Sequence, residues 1–138
     1  MAWAEALEGV VSEASAEAVS EAVALGVAGN IMSRLDQLLA FHKEDPDDSF
    51  VRFALASEYV KLKRWEEALM AFNDLYEKDP SYVGLYYHYG KLLHGLGKPD
   101  KAAAVYREGI AVATRITDFH ARSELQSALL EMEIESDD

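Results

Sequence analysis

Cysteine is absent from all 138 residues, which excludes a disulfide framework, thiolate ligation of a metal and a cysteine nucleophile. Long apolar runs are missing as well, since none reaches the roughly 18 residues that would suggest a membrane-spanning helix. At the N-terminus Glu5 and Glu8 stand where a secretory leader would carry its basic start and apolar stretch. The expectation is a cytoplasmic protein without a membrane partner. Bases are scarce beside acids, 13 against 25, for a formal net charge of −12. Residues 49–116 nevertheless hold ten basic and eight acidic side chains, so the acidity belongs to the flanks, where it serves solvation. No long basic stripe is present, and nucleic acid is not an expected partner. Of the three prolines, Pro46, Pro80 and Pro99, each falls where a helix is expected to start or stop.

Half the residues are apolar, enough for one domain with a core. Their spacing is helical. Over 3–25, Trp3, Leu7, Val10, Val11, Ala14, Ala18, Ala22 and Leu25 recur at steps of three and four. Much of that stripe is alanine, which buries little surface, so residues 1–31 read as an extension that is a weakly amphipathic helix or disordered. A capped start at Met32-Ser33, with Asp36 three residues after the serine, opens a short helix over 33–43 and looks like a natural beginning of the chain. Helices follow over about 48–62, 65–78, 82–95 and 99–115, with Asp48 and Ser81 as caps and Gly97-Lys98-Pro99 as a stop and restart. Thr117 or Asp118 caps a last helix over 118–133 with the stripe Ala121, Leu125, Ala128, Leu129 and Met132 and a polar outer face. An acidic tail, 136–138, ends the chain.

Two of these helix pairs repeat each other with a period of 34 residues. The first unit reads Leu55-Ala56, Tyr59, Ala68, Phe72, Leu75 and Pro80; the second reads Tyr89-Gly90, Leu93, Ala102, Tyr106, Gly109 and Thr114. This order of large, small and aromatic positions resembles the tetratricopeptide repeat, and more specifically small bacterial two-repeat proteins of that family. Leu93 replaces the aromatic in the second unit, and Thr114 the closing proline. The resemblance implies an all-α fold, a short right-handed α-solenoid of helical hairpins. Repeat 1 would cover 47–80 and repeat 2 81–114 within a domain of 32–135. Two repeats are few for a free-standing array, so helices 33–43 and 118–133 are expected to act as caps.

Catalytic chemistry has no frame here. The histidines His42, His88, His94 and His120 form no metal-binding spacing, and no nucleophile turn or phosphate loop occurs. Neither an enzyme, a metal nor another cofactor is expected. In the family, the first helix of each pair lines a groove that takes a peptide. By that resemblance and the three-and-four spacing, the groove residues are Phe50, Phe53, Ser57 and Lys61, then Tyr87, His88, Lys91 and His94, then Arg122. Aromatic platforms beside cations suit a protein or peptide ligand with an acidic group next to an apolar side chain. On spacing alone, Phe50, Phe53 and Tyr87 fit packing beneath the cap helices equally well. The family's clamp for terminal carboxylates needs lysines and asparagines where this chain has Phe53, Ser57 and His88, so that ligand is not implied. A second expectation is self-association as a homodimer, through the groove or the alanine seam of 3–25.

Overall fold

The computed structural model describes residues 32–136, and the expectations over 1–31 and for the last two residues of the tail lie outside them. Six helices run through the described residues: α1 Arg34–Glu44, α2 Ser49–Lys61, α3 Trp65–Lys78, α4 Gly84–Gly95, α5 Pro99–Arg115 and α6 Phe119–Ser136. The chain divides into two compact units between Gln37 and Leu38. In the first, the Ser33 hydroxyl caps the entry to α1 by accepting from the Asp36 N–H at 3.1 Å. In the second, α2 packs on α3, α4 on α5, and α6 on α5 and α4, with α4 also touching α2 and α3. Every connection between these helices is short, so sequential helices are neighbours and the arrangement is an all-α helical repeat.

Local chemistry accounts for the boundaries. Asp48 caps α2 by accepting from the Val51 N–H at 3.2 Å, and Asp118 caps α6 by accepting from the Ala121 N–H at 3.0 Å. Pro99 stands in the first turn of α5, where its missing N–H costs nothing. Ser81 does not cap α4. Its hydroxyl donates to Asp79 at 2.8 Å, a carboxylate that also accepts from the Ser49 hydroxyl at 2.6 Å. With Ser81 held there, α4 begins only at Gly84, and Val83 precedes it without a side-chain cap. The turns closing the two hairpins match across the repeat: Lys63 has φ +61° and Gly97, 34 residues on, has φ +77°.

The core runs along the inner faces of these helices. Ala56, Ala68, Phe72, Leu75, Leu85, Tyr86, Ala102 and Ala113 are fully buried, with Tyr106 and Leu125 nearly so. In the second hairpin two glycines let aromatic rings come close. A methyl at Gly90 would lie inside the contact distance of Tyr106, and one at Gly109 inside that of Tyr86. The exchange is reciprocal, since α4 supplies Gly90 and Tyr86 while α5 supplies Tyr106 and Gly109. In the first hairpin the matching positions hold Ala56 opposite Phe72, and Leu75 with Arg52 in the place of Tyr86. Arg52 is only 5% exposed. Asp74 lies 3.5 Å from its guanidinium and Asp47 4.0 Å, yet its Nε has no hydrogen-bond acceptor.

The outer face of α6 departs from expectation. Leu125 and Met132 are buried as the stripe implied, but Phe119, Leu130 and Ile134 stand out on the opposite side, 59%, 58% and 57% exposed. That side therefore sets three apolar side chains among the polar ones expected there, such as Ser123, Gln126 and Ser127.

Candidate functional site

A cleft of about 640 Å³ opens between α2 and α4. Ser57, Val60 and Lys61 form one wall, His88, Lys91, Leu92 and Gly95 the other, and Phe72 and Trp65 of α3 lie at its base with Leu96. Helical periodicity explains the walls: 57, 60 and 61 share one side of α2, and 88, 91, 92 and 95 one side of α4. The lining is mostly apolar with two ammonium groups at its edge. Among the described residues neither Lys61 nor Lys91 is paired with a carboxylate; Lys91 Nζ instead sits 5.5 Å from the Tyr87 ring centroid.

Three aromatic groups extend the cleft toward the start of α2. The His88 ring meets Phe53 edge-on at 5.2 Å and Tyr87 at 5.4 Å, and Phe53 also packs on Tyr82 at 5.5 Å. Desolvation by these neighbours holds the His88 imidazole below its ordinary value of 6.5, so it is neutral near pH 7 and presents an apolar, hydrogen-bonding edge. That charge state leaves Lys61 and Lys91 as the cations of the site.

A second hollow of about 370 Å³ lies on the other side of α4, against α6. Tyr87, Lys91 and His94 face Glu124, Glu131 and Glu135 there, and His94 Nε2 is 3.2 Å from Glu135. The acidic last helix thus reaches the histidine rather than the lysines.

Of the residues picked from the sequence, Ser57, Lys61, His88 and Lys91 line one cleft, Tyr87 and His94 line its neighbour, and Phe53 joins them through His88. Phe50 and Arg122 line neither. Phe50 is 62% exposed, and the Arg122 guanidinium lies 5.0 Å over the Phe119 ring with its Nε buried and lacking an acceptor. Sequence reasoning missed Trp65. It is the first residue of α3, beyond the hairpin turn, and it lines the cleft that α2 and α4 form. Its own signal was its bulk, a 40% exposed indole beside a tight turn. Among the described residues no cluster of His, Asp and Glu is placed to hold a metal ion, and no helix is long and apolar enough to cross a membrane.

Comparison with known proteins follows this geometry. Residues 83–114, the second hairpin, match the family model of the tetratricopeptide repeat. A crystal structure of a tetratricopeptide repeat domain protein from Salinibacter ruber is 45% identical, with a TM-score of 0.60 over 62% of this chain and 96% of its own. A solution structure of a tetratricopeptide repeat domain protein from that organism is 46% identical, with a TM-score of 0.62 over 64% of this chain and 90% of its own. A protein from Bordetella parapertussis is 26% identical, with a TM-score of 0.67 over 76% of this chain and 91% of its own. No curated protein matches the sequence.

Proposed function

The chain belongs to the tetratricopeptide-repeat family, and on that premise we propose that it is a non-catalytic interaction module binding an extended peptide in the cleft between α2 and α4. Folds of this family serve generally as scaffolds for protein–protein interaction. The observation that carries the finer reading is the cleft itself, where apolar lining from Val60, Phe72 and Leu92 meets two ammonium groups that have no carboxylate partner among the described residues. A ligand matching it carries an apolar side chain for the floor and a carboxylate for Lys61 or Lys91. Phe53, Tyr87 and neutral His88 supply flat surfaces for the neighbouring residues. Each exposed charge pair contributes only about 0.2–1 kcal/mol, so the apolar floor provides most of the affinity and the lysines select the ligand.

Trp65 reports occupancy directly. In a Trp3→Phe background its fluorescence should change when short peptides with an acid beside a bulky apolar residue are titrated into the full chain. Peptides with lysine in place of the acid should need higher concentration for the same change. The Lys61→Glu, Lys91→Glu variant, with unchanged helicity, should weaken binding at least about tenfold, or about 1.4 kcal/mol. Binding indifferent to both reversals would refute this reading.

A further inference from the structure

The uncovered face of α6 carries an order of side chains that complements itself. Phe119, Leu130 and Ile134 are eleven and four residues apart, which places all three on one side of the helix. Their exposure is unusual for this register. Phe119 stands 34 residues after Leu85 and 68 after Val51, and both of those are buried. The helix is also polarised along its length. His120 and Arg122 stand near its N-terminus, where the backbone dipole is positive, and Glu131, Glu133 and Glu135 near its C-terminus.

We infer that this face pairs with the same face of a second copy, the two α6 helices lying antiparallel about a two-fold axis near Gln126-Ser127. In that register Phe119 of each copy meets Ile134 of the other, and Leu130 meets the small Ser123. Charge follows the same order. Arg122 of one copy comes alongside the Glu133 end of the other on one edge, and His120 alongside Glu131 on the opposite edge. A parallel pair would instead bring Glu131, Glu133 and Glu135 of the two copies together, which like-charge repulsion disfavours.

One further observation points to a missing partner here. Arg122 lies over Phe119 at the end of the stripe with a buried Nε that has no acceptor and, among the described residues, no carboxylate beside its guanidinium. An arginine with a buried, unpaired Nε is costly to leave without a counter-charge, and the second copy's acidic end supplies one to the outer nitrogens of the guanidinium. The interaction is isologous and therefore closes at two copies. A contact between single helices falls at the low end of specific interfaces, so the dimer dissociates on dilution.

Light scattering on the full chain across concentration tests this. The mass should rise from 15.3 kDa toward twice that value as concentration increases. Leu130→Glu, Ile134→Glu should hold it at the monomer value with unchanged helicity, since both side chains are exposed. Because the chain has no cysteine, register can be read separately. Under mild oxidation, Phe119→Cys mixed with Ile134→Cys should give covalent dimer. Either variant alone should not, as its two thiols lie about 22 Å apart at 1.5 Å per residue. A wild-type monomer at all concentrations would overturn the proposal, as would a dimer indifferent to the two glutamates. Cross-linking of each single variant with itself would overturn the antiparallel register.

Discussion

Gly90→Ala should destabilise the protein although alanine is the better helix former, and the structure supplies the magnitude. In a helix interior the exchange of glycine for alanine gains about 1 kcal/mol. At Gly90 the new methyl would stand 2.6 Å from Tyr106 Cδ1 and 2.8 Å from its Cζ, and closer still to Cε1. Tyr106 is 2% exposed, and the methyl would press on the body of its ring rather than on the end of a flexible chain. Overpacking of this kind costs about 1–3 kcal/mol, and contact with three ring atoms puts it at the upper end. The net loss is about 1–2 kcal/mol, and at roughly 4–8 °C per kcal/mol for a domain of this size the melting temperature falls by about 4–16 °C. Gly95, on the same helix, is the internal control, because a methyl there meets nothing within 4 Å. Gly95→Ala should leave the protein as stable or raise its melting temperature by a few degrees. Tyr106→Phe should not rescue Gly90→Ala, since the ring and not the hydroxyl makes the clash; Tyr106→Leu should recover part of the loss. Thermal melts followed by circular dichroism decide the matter. A Gly90→Ala protein that melts at or above wild type would show that the α4–α5 approach is looser than described.

Two further outcomes follow from the turns and caps. Lys63 and Thr117 both hold positive φ, +61° and +59°, which side chains rarely adopt. Lys63→Gly and Thr117→Gly should therefore each stabilise by up to about 1 kcal/mol, with the larger gain at the β-branched threonine, measured by urea unfolding. The Asp79 carboxyl is held below its ordinary 3.8 by the hydrogen bonds it accepts from Ser49 and Ser81. A depressed carboxyl contributes stability that is complete above the unfolded value and is lost as pH falls through the folded one. Ser49→Ala should accordingly lower the urea midpoint at pH 7, and its gap from wild type should narrow as the pH falls below 3.8 and close once it has passed the depressed wild-type value, where Asp79 is protonated in both proteins.

Much of the architecture was legible because repeat and cap signals are local. The 34-residue shift aligns Ala68 with Ala102 and Phe72 with Tyr106, and each of these is buried. Asp48 and Asp118 could be read as caps because a carboxylate just ahead of a helix has free N–H groups within reach. Ser81 has the same chemistry, yet a carboxylate two residues earlier takes its hydroxyl, a competition that no cap rule weighs. The site was partly legible. Spacing along α2 and α4 grouped Ser57, Lys61, His88 and Lys91, which line one cleft, but Trp65 comes from the next helix, and periodicity within one helix says nothing about its neighbours. Arg52 shows the same limit: its charge suggests a surface position, and only alignment with Tyr86 reveals a buried one. The second apolar stripe of α6 was hidden for another reason. It opposes the first, and a helix apolar on both sides has no single face to detect.

The reciprocal glycine and tyrosine contacts of the second hairpin give the molecule a direction of opening. Where α4 and α5 exchange two aromatic rings through two gaps, separating them exposes both at once, and α6 closes over the same pair. The first hairpin has only one such ring at its heart, and in place of the other it holds a guanidinium whose hydration improves as the helices part. Fluctuations should therefore begin at α2 and α3 and stop at α4. Since the cleft lies along that border, a ligand bridging α2 and α4 would tie the half that frays to the half that does not.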